Sequence, residues 1–172
     1  NEIVLASTGN AGSSMAGIAA ACGIKATIFL PKTAPKAKMV QALQYGAKVV
    51  SVDGNYDMAF DLSLEHSAKH KLLSRNTAYN PLTIEGKKSV SIELFRQVGD
   101  APDYIFVPVG DGVILSGVYK GFKDLFQFGF IEKMPTIVAV QADGSAAIHN
   151  ALIDGHFTEC SSNTVADSIA VD

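Results

Sequence analysis

The feature that most limits how this chain can fold is a repeated alternation. Six short apolar runs, rich in β-branched residues, are separated by amphipathic stretches of helical length. The runs cover residues 2–7, 26–31, 48–53, 71–75, 104–109 and 136–141. Most are continuously apolar rather than alternating, the pattern of strands covered on both faces of a parallel sheet. The stretches between them predict helices over 11–22, 35–45, 56–70, 82–98, 114–128 and about 145–153. The expected fold class is therefore α/β, with open parallel sheets flanked by helices.

Each predicted helix carries local signals of its own. The first is rich in Ala, Gly and Ser, so it can press closely on a sheet, and Gly23 suits a left-handed cap at its end. Met39, Val40 and Leu43 form an apolar stripe on the second. Asn55 suits the N-cap of the third, which presents Ala59, Phe60, Ser63 and Ser67 on one face. Val90, Leu94 and Val98 recur every four residues in the fourth, and Ile114, Val118, Phe122 and Leu125 line the fifth. A polar break at 76–81, containing Asn80-Pro81, predicts a boundary between a lobe over 1–76 and a second lobe over 77–172. Two strands cannot bury both faces of a sheet, so the second lobe needs further sequence or the first lobe.

Composition narrows the functional classes. The 172 residues are 48% hydrophobic and 18% charged, enough for a sizeable core. A net charge of -3 without a Lys/Arg-rich run argues against nucleic acid as a partner. No apolar stretch approaches the ~20 residues that span a bilayer. Cys22 and Cys160 make no metal spacing and no disulfide framework, so both read as free thiols of a reducing cytosol, with Cys22 a small buried residue at a helix end. The chain opens on Asn1-Glu2 directly before a strand and closes on Ser168-Ile169-Ala170-Val171-Asp172, which reads as extended. Both ends read as cut from a longer polypeptide.

Two strand-to-helix junctions carry the chemistry. In Ser7-Thr8-Gly9-Asn10-Ala11-Gly12, a helix N-terminus offers unpaired N–H groups and partial positive charge to a carboxylate or phosphate. Ser7, Thr8 and Asn10 add short polar side chains, and Gly9 lets the backbone approach a ligand. In Pro108-Val109-Gly110-Asp111-Gly112-Val113-Ile114, successive amides can form an anion nest. That loop matches neither nucleotide signature, since position 115 is Leu115 rather than Gly and no Gly-Lys-Ser/Thr follows. A capped turn that binds nothing would account for either junction equally well. His66 and His70 share a helix face but lack an acidic or Cys partner at metal spacing. Neither Ser7 nor Ser116 sits in a GxSxG elbow, and Lys120 and Lys123 read as solvated.

Taken together these segments resemble the fold-type II pyridoxal-phosphate enzymes, and within them most closely the threonine synthases. Ala6-Ser7-Thr8-Gly9-Asn10-Ala11 is similar to the family's Ser/Thr-Gly-Asn loop. The resemblance implies that Ser7, Thr8, Gly9, Asn10 and Ala11 bind the substrate carboxylate, and that Asn10 hydrogen-bonds the pyridoxal ring hydroxyl. Val107-Pro108-Val109-Gly110-Asp111-Gly112, followed by Ser116-Gly117-Val118-Tyr119-Lys120-Gly121-Phe122, is similar to the loop and helix that grip the cofactor phosphate. Gly110, Asp111, Gly112, Val113 and Ile114 are thereby implied as cofactor-binding. Asn80-Pro81-Leu82-Thr83-Ile84-Glu85-Gly86-Lys87-Lys88 resembles the Asn-Pro-x-x-x-Glu-Gly-x-Lys run of threonine synthases, and Val140-Gln141-Ala142-Asp143-Gly144-Ser145 the segment after the next strand.

The resemblance implies pyridoxal 5'-phosphate as cofactor of the complete enzyme, an amino-acid substrate, a cytoplasmic setting and no membrane partner, with a homodimer allowed. It implies conversion of O-phosphohomoserine to threonine and phosphate, a step of threonine biosynthesis, with the cofactor cleft between the two lobes. The chain departs from the pattern in three ways. It contains no Ser-x-Lys-Asp run, so the family's Schiff-base lysine is absent, no catalytic residue is assigned, and the 172 residues alone are expected to be inactive. The family's C-terminal segment, with the partner of the pyridine nitrogen, is also missing. Asp111, Val113 and Ile114 replace the usual Asn and Gly, and the Asp111 side chain is expected to point away from a bound phosphate. Two alternatives stand beside this reading: a threonine/serine dehydratase or other enzyme of the same fold, and a non-catalytic anion-binding α/β module.

Overall fold

The computed structural model describes residues 1–158, 162–166, 169 and 170. Cys160 and most of the closing Ser168-to-Asp172 segment lie outside the described residues. The chain divides into two compact units, Asn1–Asn80 and Pro81–Asp172.

The first unit runs β1 (Glu2–Ala6), α1 (Asn10–Ala21), β2 (Lys25–Pro31), α2 (Lys36–Gln44), β3 (Lys48–Val52), α3 (Tyr56–His70) and β4 (Leu73–Ser74). Its strands form one parallel sheet in the order β3-β2-β1-β4. Because successive side chains point to opposite faces, β1 feeds two cores. Leu5 joins Ala16, Ala19, Ile28, Leu30 and Ala42 on the side of α1 and α2. Val4 and Ala6 join Phe29, Val52 and Ala59 on the side of α3. Both faces are thus apolar, which explains the unbroken hydrophobic runs in the sequence. Gly23, at φ 65°, ends α1 in the left-handed conformation expected of it.

The second unit runs α4 (Leu82–Lys87), α5 (Ser89–Val98), β5 (Tyr104–Pro108), α6 (Val113–Gln127), β6 (Thr136–Val140) and α7 (Ala147–Asp154). β5 and β6 pair in parallel with Tyr104 opposite Thr136 and Pro108 opposite Val140. Val107, Val109, Val118, Phe122, Leu125 and Ile131 form its core.

Several expectations need correction. The helix predicted over 82–98 is two helices that meet at Lys88, where α6 presses on the backbone: a Cβ on Gly117 would fall 2.5 Å from Lys87 Cβ, and one on Gly121 2.5 Å from the Lys88 carbonyl oxygen. Of the stripe Val90, Leu94, Val98, Leu94 is half-buried and packs against the core, whereas Val90 and Val98 are exposed and Ser91 is the buried residue of α5. In α2, Val40 and Leu43 are exposed and Ala42 is buried, while Ile114 of α6 is exposed and Val113 is buried. Cys22 is an exposed free thiol rather than a buried small residue. Lys120 is not simply solvated, because it pairs with Glu85 at 2.7 Å.

Candidate functional site

The two predicted junctions lie at the carboxyl ends of parallel strands β1 and β5, one in each unit, the end at which open α/β sheets bind ligands. Ser7 leaves the first sheet with its N–H still paired to the Phe29 carbonyl at 3.0 Å. Its Oγ then accepts from the N–H groups of Gly9 (3.2 Å) and Gly12 (3.0 Å), folding the loop over the first turn of α1. The Gly9 carbonyl accepts from Gly12 and Ser13. Among the described residues, the amides of Asn10 and Ala11 are left with no protein acceptor, the usual state of first-turn donors. Gly12 is buried because α1 crosses closely: a Cβ there would lie 3.4 Å from the Ser7 carbonyl oxygen and 3.5 Å from Ile28.

Sequence reasoning missed one residue of this loop. Lys38, on α2, reaches back so that a Cβ on Gly9 would stand 3.6 Å from its Nζ. The ammonium adds a full positive charge to the partial charge of the α1 N-terminus. No spacing rule could have revealed it, because the approach depends on how α2 packs on α1.

At the second junction, Gly112 takes φ 79° as N-cap of α6, and its carbonyl accepts from the Ser116 N–H and Oγ–H, both at 2.9 Å. Asp111 Oδ1 accepts from the Val113 N–H at 3.0 Å. The carboxylate therefore caps the first amide of the helix, and a phosphate on that amide requires it to turn away, the direction expected of it beside a bound phosphate. The physical reason is the same field that would attract a phosphate: a negative group is stabilised at the positive end of α6. The amides of Ile114 and Leu115 keep no protein acceptor among the described residues. The donor set thus fits a phosphate at the Ile114 and Leu115 amides, while Asp111 opposes it.

Behind this loop stands a charged cluster built from the Asn80-to-Lys88 motif. Lys88 Nζ contacts Asp124 at 2.8 Å and Glu85 at 2.9 Å, and Lys120 Nζ meets the other Glu85 oxygen at 2.7 Å. The hydrogen bonds to Asp124 and Glu85 push the Lys88 pKa up to about 12. Those from Lys120 and Lys88 hold Glu85 below its ordinary range. Glu85 and Lys88 of the motif therefore tie α4 to α6. The rings of His66 and His70 stand 4.6 Å apart and Phe29 lies 5.5 Å from His66. No group of three metal-ligating side chains occurs among the described residues, and no helix there is long and apolar enough to cross a membrane.

Parallel strands whose carboxyl ends run into helix N-termini define an open α/β protein. The chain belongs to the family of pyridoxal-phosphate dependent enzymes, whose family model matches residues 1–172. It is 39% identical over 145 residues to a threonine synthase of Methanocaldococcus jannaschii, covering 83% of this chain and 36% of that protein. It is 34% identical over 171 residues to a threonine synthase of Bacillus sp. (strain ULM1), covering 98% of this chain and 46% of that protein. Among solved structures it is similar to the processed form of threonine deaminase isoform 2 from Solanum lycopersicum, with TM-score 0.84 and 29% identity, covering 99% of this chain and 48% of that one. The fold is that of the fold-type II pyridoxal-phosphate enzymes, and the cofactor of the family is pyridoxal phosphate. The chain spans less than half the length of these relatives.

Proposed function

We propose that the protein containing this chain converts O-phosphohomoserine to threonine and phosphate as a threonine synthase of the cytosol. The observation that carries the reading is Lys38 beside Gly9, a cation at a helix N-terminus that already offers the Asn10 and Ala11 amides. Such a concentration of positive potential favours a substrate with more than one anionic group over a simple amino acid.

In this reading Ser7, Thr8, Gly9, Asn10 and Ala11 hold the substrate carboxylate, with Asn10 also directed to the pyridoxal ring hydroxyl. Gly110, Asp111, Gly112, Val113 and Ile114 hold the cofactor phosphate through backbone amides, with Asp111 turned off Val113. Pyridoxal phosphate, when bound, supplies the electron sink that such carbon chemistry requires. What these residues contribute is orientation: both anionic ends are fixed by donors rooted in strand ends and helices, so the reacting carbons are held in one pose. No lysine within the 172 residues matches the family's Schiff-base motif, so we assign no catalytic residue among them.

A second reading, deamination of threonine or serine, has support from the similarity to threonine deaminase. One assay separates the two. The full-length protein, loaded with pyridoxal phosphate, is incubated with O-phosphohomoserine, L-threonine or L-serine, while phosphate, threonine, 2-oxo acid and ammonia are followed. Phosphate and threonine in equal amounts from the first substrate support the synthase. A 2-oxo acid and ammonia from the other two, without phosphate release from the first, overturn it.

A further inference from the structure

The loop over Ser7 to Ala11 can work only if the end of β1 is held still, and on the β4 side no strand pairs with β1 beyond Val4. Its pairing with β4 stops at Val4 opposite Ser74, and Arg75 N–H closes the ladder on the Val4 carbonyl at 2.8 Å. The next inward-facing donor, the Ala6 N–H, would be buried without a partner. The side chain of Asn76 supplies one: its Oδ1 accepts from Ala6 N–H at 2.7 Å.

Asn76 is 1% exposed and its amide is held from both ends. Nδ2 donates to Ser63 Oγ at 2.7 Å, and Ser63 in turn donates its hydrogen to the Phe60 carbonyl at 2.7 Å. Ser63 therefore needs a donor from Asn76, while Ala6 needs an acceptor. Only a primary amide of this length offers both. The Ala6 carbonyl is taken by Tyr56 Oη at 3.4 Å, and Ser7 N–H by Phe29. Three consecutive backbone groups before the loop are thus fixed, two of them by side chains. The Asn76 carbonyl also accepts from the amides of Tyr79 and Asn80, so the same residue shapes the turn that follows.

We propose that Asn76 is a positioning residue of the substrate loop: through Ala6 it sets where Ser7 Oγ stands, and through Ser7 it sets the Gly9-to-Gly12 turn that presents the Asn10 and Ala11 amides. The identity of the bound carboxylate rests on the proposed function, whereas the positioning does not.

The test uses the full-length protein and three variants. Asn76→Leu keeps the volume but removes both hydrogen-bonding ends. Asn76→Asp keeps the acceptor for Ala6. Ser63→Ala removes only the partner of Nδ2. Amide hydrogen exchange of the peptide covering residues 6–12 is measured without ligand, beside global stability in urea. In Asn76→Leu the loop amides are expected to exchange about tenfold or more faster than the loss of global stability accounts for. Asn76→Asp and Ser63→Ala should keep loop exchange in line with their global stability. KM for the amino-acid substrate should rise in Asn76→Leu by about tenfold with a smaller change in kcat. Loop exchange that follows global stability alike in all three variants, or that is lost in Asn76→Asp as in Asn76→Leu, would overturn the proposal. Should Asn76→Leu not fold, Asn76→Ala, which also removes both hydrogen-bonding ends, takes its place with the same expected and overturning outcomes. Because exchange is read without substrate, absence of phosphate release from O-phosphohomoserine would defeat the functional reading and leave the Asn76 result standing.

Discussion

Asp111 and Lys38 place opposite charges at two helix N-termini, and their consequences differ accordingly. Asp111 caps Val113 in the free loop, so an incoming phosphate meets a carboxylate that must turn away and still repels it. Asp111→Asn keeps an oxygen for the Val113 amide and removes the charge. Its dissociation constant for pyridoxal phosphate, read by titration of the full-length protein, is expected to fall by about three- to tenfold. Unchanged or weaker binding would show that the carboxylate does not compete with the phosphate. Lys38→Gln keeps a polar side chain of similar length beside Gly9 but removes the cation. It should raise KM for O-phosphohomoserine by about tenfold or more and leave binding of uncharged-side-chain amino acids much less affected. At this scale the sequence revealed the loops but not their charges' directions. Ser7-Thr8-Gly9-Asn10 and Gly110-Asp111-Gly112 are readable because a strand-to-helix turn needs small and polar residues in sequence. Which way Asp111 points, and that Lys38 arrives at all, depends on packing between elements distant in the chain.

The strands were legible for a simple reason: with α1 and α2 on one face and α3 on the other, every position of β2 after Lys25 is buried, and the run stays apolar. The helix faces were less so, because the closest contacts are made by small residues. In α6 Val118, Phe122 and Leu125 are buried as their spacing predicts, but in α2 and α5 Ala42 and Ser91 are buried while Val40, Leu43, Val90 and Val98 are exposed, against a reading that follows large apolar side chains. Gly121→Ala tests the packing of α6 directly. The added methyl would meet the Lys88 carbonyl oxygen at 2.5 Å and Ser91 Cβ at 2.7 Å, and backbone cannot yield as a flexible side chain would. A loss of about 1–3 kcal/mol in urea unfolding is expected, with the cofactor affinity of the α6 loop falling as well. The charged cluster across the same seam gives a pH dependence of definite sign. Folding raises the Lys88 pKa from its ordinary 10.5 to about 12, so its contribution is complete below the lower value and disappears as pH rises through the upper one. Glu85 is shifted downward, so its contribution is present above its ordinary 4.5 and is lost as pH falls through the lowered value. The urea midpoint of the wild type should therefore decline more steeply than that of Glu85→Gln as pH falls from 4.5 through the lowered value. Parallel curves would remove Glu85 from the stability of α4 against α6.

Within these 172 residues, the two compact units differ in how completely their described sheets are covered. In Asn1–Asn80 a four-stranded sheet has helices on both faces, and Val4, Leu5, Ile28 and Ala59 are almost fully buried. In Pro81–Asp172 the sheet has two strands, and one face of β5 leaves Tyr104 63% and Phe106 67% exposed. Two strands seldom persist alone in water, and what holds these two is the other face, where Val107 and Val109 meet Val118 and Phe122 of α6. Apolar area left in solvent contributes nothing toward folding, so the free energy of opening should be lower for β5 and β6 than for β1 and β2. Hydrogen exchange of the 172-residue chain, followed by mass spectrometry with peptides resolving each strand, measures this directly. The amides of Ile105, Val107 and Val138 are expected to exchange about tenfold or more sooner than those of Val4, Ile28 and Leu30. Urea should release the first set at lower concentration than the second, giving two transitions rather than one. A single transition with equal protection of both sheets would mean that the exposed face of β5 does not limit the stability of its unit, and that α6 alone suffices to hold the pair.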